Sequence, residues 1–325
     1  MRNLKLLSLC LALLLVRATY ANQRLVVFGD SLSDNGRLFA ITGGSPTEPY
    51  GDAYNRLGKV VKYFPGRFTD GQNWVDYFPK VARFFGVDVS TVSPFPFLEG
   101  PLKASDDTTN FAVGGATSGD FNVLNNPQNP QVTFPGFLAQ ISAYLGAVDR
   151  HASADDLYVI WIGANDFAAN ISPQTTVANI RGGITALTKA GAKHFVVINV
   201  PNISLTPEVK ALPSPEIGAA IQFVAAVNGL LAVYIPISAW TERINVDLLD
   251  INTIFVPVVL EPFLFGFSNS TETALNPTTG PVSDPNDYVF WDGFHPTTNV
   301  HRIAADFIFK AVFSRHLFNK FLSFR

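Results

Sequence analysis

The 325-residue chain carries a net charge of −3, is 47% hydrophobic and contains one cysteine. No block of lysine and arginine gathers that would track phosphates, which excludes nucleic acid as a partner. A single cysteine excludes an internal disulfide, and a chain of this length buries a core that needs none.

Met1 to Ala21 places Arg2 and Lys5 ahead of an apolar run, Leu6 to Val16, with small residues near Ala21. This is the layout of a secretory signal peptide, and the run is too short to span a bilayer. Residues 1–21 are expected to be removed. Residues 22–325 are expected to form one extracellular, monomeric domain with no membrane anchor. Cys10 and three basic residues, Arg2, Lys5 and Arg17, lie within the signal. Asn170, Asn202 and Asn269 each open an Asn-x-Ser/Thr triplet and are candidate glycosylation sites.

Leu25–Phe28, Leu157–Ile162 and Phe195–Val200 are continuous, β-rich apolar runs. They read as strands buried on both faces of a parallel sheet. Ile254–Leu260 reads as a further strand, pushed toward an edge by Pro257. Apolar residues at three- and four-residue spacing predict helices over Gln72–Phe85, Pro135–Val148, Thr175–Ala190, Pro215–Ala239 and Pro296–Phe313. Strands alternating with helices predict a three-layer α/β domain. Ile41–Gly71 and Val92–Pro135, rich in Gly, Pro, Asn and Asp, read as long functional loops over one end of the sheet.

In an open α/β sheet, ligands bind beyond the carboxyl ends of the strands. Three polar clusters fall at such ends or near the terminus: Gly29–Gly36, "GAND" (Gly163–Asp166) and "WDGFHP" (Trp291–Pro296). Ser31 sits on a sharp strand exit that exposes its hydroxyl, and a serine hydroxyl becomes a nucleophile only when a base takes its proton. His295 is the leading base, with Asp292 three residues earlier within reach of its other nitrogen. Asn165 offers an amide, and Gly114–Gly115 offer backbone N–H groups, to a developing oxyanion. His151, His194, His301 and His316 have no acid beside them in such a loop and read as structural.

Other chemistries fit poorly. Leu32 and Ile41 occupy the third and twelfth places of an EF-hand register from Asp30, where calcium needs oxygen ligands. Neither a P-loop nor a G-x-S-x-G nucleophile elbow occurs.

"FGDSLSDNG", "NFAVGGATS", "IGAND" and "DGFHP", together with "GRFTDGQNWVDYF", resemble the blocks of the GDSL, or SGNH, hydrolases. The order and spacing match from Arg24 to about Lys310. The resemblance implies a flavodoxin-like α/β/α sandwich with about five parallel strands. It implies Ser31 as nucleophile, Asp292 and His295 as the rest of a triad, and an oxyanion hole from Ser31, Gly115 (or Gly114) and Asn165. No metal or organic cofactor is implied. The expected substrate is a small-molecule or carbohydrate ester. Similarity to secreted fungal members favours acetyl groups on plant-wall carbohydrate, and loop aromatics such as Tyr63, Phe64, Phe263 and Trp291 suit a sugar or a short acyl chain. A lipase or phospholipase acting on longer acyl esters is the alternative, and no lid-like apolar helix stands out to favour it. A carbohydrate-binding relative without turnover is the alternative of another class.

Overall fold

The computed structural model describes residues 24–42, 52–54, 60–85, 87, 89, 93–94, 109–125, 133–276 and 280–323. The expected signal, residues 1–21, lies outside them, as do Tyr50, Phe95 and Phe97 from the aromatic loops.

Four strands, β1 (Leu25–Gly29), β2 (Leu157–Trp161), β3 (His194–Ile198) and β4 (Asn245–Leu249), pair in parallel in chain order. Val27, Val159, Val196 and Asp247 lie side by side across them. Side chains alternate between the two faces of a strand, and both faces here are covered. Val26, Phe28, Tyr158, Ile160, Phe195 and Val197 pack under one helical layer. Leu25, Val27, Leu157, Val159, Val196 and Ile198 pack under the other. That double burial is why β1 to β3 read as unbroken apolar runs.

The first layer consists of α2 (Phe137–Ala147), α3 (Pro173–Lys189) and α4 (Ser214–Glu242); the second consists of α1 (Trp74–Phe84) and α6 (Thr298–Ser323). Local signals set the helix starts. Asn73 accepts the N–H groups of Val75 and Asp76 while Asp76 returns to the Asn73 N–H, a capping box opening α1. Ser172 caps α3, with Pro173 in its first turn.

The expected strand Ile254–Leu260 is a helix instead, α5 (Asn252–Leu260), and the strand is β4, just before it. A short apolar run has no period that separates a buried strand from a buried helix. β4 forms the edge of the sheet beyond β3, and Asn245 and Asp247 make it read as polar.

The sheet has four strands rather than about five; the extended segment 109–113 flanks β1 on its other side without forming a strand of its own. The Val27 N–H donates to Thr109 O (3.0 Å), Phe111 N–H to Val27 O (2.8 Å) and Val113 N–H to Gly29 O (3.1 Å). In space the order is this segment, β1, β2, β3, β4. The chain therefore leaves β1 toward one edge and returns past it toward the other. Such a reversal opens a crevice at the carboxyl ends of the two strands beside it, here β1 and β2.

Candidate active site

Gly29 ends β1 where a side chain has no room: a Cβ there would lie 2.6 Å from Trp161 O. Gln140 of α2 brackets its peptide, accepting the Gly29 N–H (3.0 Å) and donating to Gly29 O (2.8 Å). The chain then turns sharply, with the N–H groups of Ser33 and Asp34 both donating to Asp30 O (3.0 and 2.9 Å). Trp74 Nε1 donates to Ser33 Oγ, and Asn110 Nδ2 to Ser33 O. Asp34 is fully buried and accepts N–H groups from Gly36, Arg37, Leu38 and Gly114. Burial pushes its carboxyl upward against those donors. Ser31 stands out of this scaffold, half-buried.

His295 Nε2 lies 2.8 Å from Ser31 Oγ, across 264 residues of chain. The Nδ1 side faces Asp292, 2.8 Å from Oδ2 and 3.0 Å from Oδ1. A nitrogen facing a carboxylate carries the proton, which leaves the Nε2 lone pair for the Ser31 hydroxyl. Asp292 also accepts the N–H groups of Phe294 and His295 and the hydroxyl of Tyr63. Burial alone would raise the Asp292 pKa, but His295 and the backbone N–H groups of His295 and Phe294 hold it below the ordinary carboxylate range. The loop is pinned by Trp291 N–H to His295 O (2.8 Å) and Thr69 Oγ1 to Pro296 O (2.9 Å). The Phe68 ring lies 4.9 Å from the imidazole.

The two glycines of the second block differ. The Gly114 N–H is committed to Asp34 Oδ2 at 2.9 Å, whereas the Gly115 N–H has no acceptor among the described residues. Gly115 has φ +75, and a Cβ there would meet Asn122 Oδ1 at 2.6 Å, so glycine is required. Asn165 follows β2 and donates one amide hydrogen to Ala116 O (3.0 Å), leaving the other free. Asp166 ties the same two blocks together, accepting the Ser118 N–H and hydroxyl and the Thr176 hydroxyl. The Ser31 N–H likewise has no acceptor among the described residues.

Residues 25–308 match the profile of the family described as GDSL-like Lipase/Acylhydrolase. The chain belongs to this family. An Acetylesterase of Thermothelomyces thermophilus is 28% identical over 300 residues, covering 86% of this chain and 85% of that protein. The "Thermolabile hemolysin" of Vibrio parahaemolyticus is 25% identical, covering 87% of this chain and 62% of its own length. A GDSL esterase/lipase of Arabidopsis thaliana is 23% identical, with coverage of 86% and 84%. The GDSL-type chain described here is a carboxylic ester hydrolase.

Its esterase site opens onto a cavity of about 270 Å³ lined by Ser31, Asn165 and His295 and otherwise by mostly apolar side chains. Leu32, Trp161, Ile203, Ile254, Phe255 and Val258 are among them. Three further polar residues line it, Asp30, Thr206 and His301. Asp30 is 2% exposed, and burial pushes its carboxyl up to about 7. His301, read from the sequence as structural, is equally buried. His151 is exposed, its Nδ1 beside Asp149 O, and His194 Nδ1 lies 3.3 Å from Asn245 Nδ2. His316 has no described side chain.

The aromatic residues divide. Tyr63, Phe267, Phe290 and Trp291 are buried and support loops, while Phe263 is exposed. Among the glycosylation candidates, Asn170 is exposed, whereas Asn202 and Asn269 are half-buried and hydrogen-bonded. Local sequence gave no signal for Gln140, Asp34 or Tyr63 as supports of the site, because each acts on a segment distant in the chain or on backbone N–H groups.

Proposed function

We propose that Ser31 is the nucleophile of a serine esterase with His295 as base and Asp292 as its orienting acid. The carrying observation is the single line of contacts from Ser31 Oγ through both imidazole nitrogens to Asp292. Ser31 Oγ attacks the ester carbonyl as Nε2 takes its proton. The oxyanion is met by the N–H groups of Ser31 and Gly115 and the Asn165 amide. His295 returns the proton to the departing alkoxide, and an acyl-Ser31 ester remains. Water attacks that ester by the same proton route, releasing the acid. The imidazolium formed at each step faces the Asp292 carboxylate. Ser31→Ala should fold normally and lose nearly all turnover. A serine-directed phosphonate should label Ser31 alone, and labelling at Ser33 or Ser118 would refute the assignment.

The acyl group is read as entering the apolar cavity. An acetyl group would leave most of it empty, and buried apolar area is what holds a longer chain. The segment first read as a strand, α5, walls this cavity and leads into Phe263 and Leu264, which are 77% and 79% exposed. That feature favours esters of medium or longer acyl chains. The second reading, acetyl esters of plant-wall carbohydrate, is supported by the Acetylesterase relative. Hydrolysis of p-nitrophenyl esters from acetate to decanoate, beside acetate release from acetylated xylan, decides between them. The intact Ser31, Asn165, Asp292 and His295 set speaks against a binding relative without turnover. Export behind residues 1–21, glycosylation at Asn170 and a monomeric state complete the reading.

A further inference from the structure

Two polar groups among the residues lining the cavity have no hydrogen bond among the described residues, the Trp161 indole N–H and the His301 ring, and of these only the imidazole can both donate and accept. His301 lies on α6, six residues beyond His295, and is 2% exposed. It lines the cavity beside Val300, Ile303 and Ala304. Its backbone N–H closes the first turn on Thr297 O, while its ring has no partner among the described residues. The remaining polar lining groups are engaged. Thr206 donates to Ile203 O, Asn165 to Ala116 O, and Asp30 accepts the Leu32 N–H. Ser31 and His295 hold one another.

Burial, with the nearby His295 adding to it, holds the His301 ring neutral, its pKa down to about 3. A neutral imidazole offers one N–H and one lone pair. Buried polar groups are nearly always matched by a partner, and an unmatched one inside an apolar wall is destabilising.

We propose that His301 is a specificity-determining residue that hydrogen-bonds an oxygen function, an ether, hydroxyl or second carbonyl, borne part-way along the otherwise apolar group filling the cavity. This rests on the reading of the cavity as the acyl site. The substrate class is then an oxygenated acyl ester rather than a plain fatty one. Placed beside the imidazole, the oxygen replaces an unmet donor with a made hydrogen bond. Placed elsewhere along the wall, it is buried without a partner and disfavoured.

The probes are p-nitrophenyl octanoate and its analogues with oxygen in place of the methylene at carbon 4, 5, 6 or 7. In the wild-type enzyme, one analogue should exceed octanoate about tenfold in kcat/KM, the worth of one buried neutral hydrogen bond, while the others fall below it. His301→Leu should erase that maximum, read as the ratio of the two rates. His301→Gln, which keeps an N–H donor, should retain a maximum and serves if the leucine variant does not fold. A wild-type profile without a maximum, or a maximum that survives His301→Leu, overturns the proposal. Val258→Trp tests the underlying reading separately, because a large ring there fills the cavity. It should lower octanoate turnover far more than acetate turnover. Equal effects on the two esters would place the acyl chain elsewhere, and the inference would fall with that reading.

Discussion

The Tyr63 hydroxyl donates to Asp292 Oδ2 at 2.8 Å, the same carboxylate oxygen that lies 2.8 Å from His295 Nδ1. One oxygen thus serves both the loop that carries Tyr63 and the His295 imidazole. Hydrogen bonds to charged groups are worth about 1.5–3 kcal/mol. Tyr63→Phe should lower kcat by about tenfold with little change in KM. The carboxylate loses a hydrogen bond to its charged form and becomes more basic, so the acid limb of kcat/KM should move to higher pH. An unmoved pH profile would show that Tyr63 only packs against Trp291.

Asn165 separates charge stabilisation from turn-making. Its free amide hydrogen is assigned to the oxyanion, and losing one such donor costs about 10²–10³ in kcat. Asn165→Ala should show that loss with KM nearly unchanged and phosphonate labelling of Ser31 slowed but detectable. Because Asn165 also bonds Ala116 O, a small fall in melting temperature should accompany it. Full turnover in a destabilised variant would leave Asn165 a turn residue only.

Asp34 links four backbone N–H groups from two segments, those of Gly36, Arg37, Leu38 and Gly114. Asn in its place keeps one acceptor oxygen and sets an NH₂ against N–H donors. Asp34→Asn should therefore lose melting temperature and turnover together, by about 2 kcal/mol or more in stability. Wild-type thermal stability would contradict this account of the turn.

Asp30 and His301 give stability opposite slopes with pH. The Asp30 pKa rises on folding from 3.8 to about 7. Its contribution is complete below 3.8 and is lost as pH climbs through 7. The His301 pKa falls on folding from 6.5 to about 3, so its contribution is present above 6.5 and lost as pH drops toward 3. Asp30→Asn should thus gain on the wild type between pH 4 and pH 8 in thermal melts. His301→Phe should gain on it in the other direction, between pH 7 and pH 4. A constant offset in either variant would mean that the side chain titrates alike in both states.

The chemistry of the site was legible because it is written in short blocks. Ser31, Asn165, Asp292 and His295 each sit in a polar cluster of the sequence, and the fold brings Ser31 and His295 into contact. What escaped was whatever depends on a distant partner. Gln140 is 111 residues from the glycine it brackets, and Tyr63 is 229 residues from Asp292. Nothing local marks either. β4 escaped for a different reason: an edge strand buries little, so its residues need not be apolar. α5 was misread because a run such as Ile254–Leu260 is apolar on every side in either conformation. Gly115 could be told from Gly114 only by seeing where the Gly114 N–H goes.

The contact between Ser31 and His295 also sets when the molecule can first act. Ser31 is made early in synthesis and His295 264 residues later. β1 ends just before Ser31 and β2, β3 and β4 all lie between the two residues, so a nascent chain cannot make this contact until the whole sheet has been translated. The same separation makes the contact a reporter of completeness: a molecule cut off before the loop Trp291–Pro296 keeps Ser31 and lacks His295.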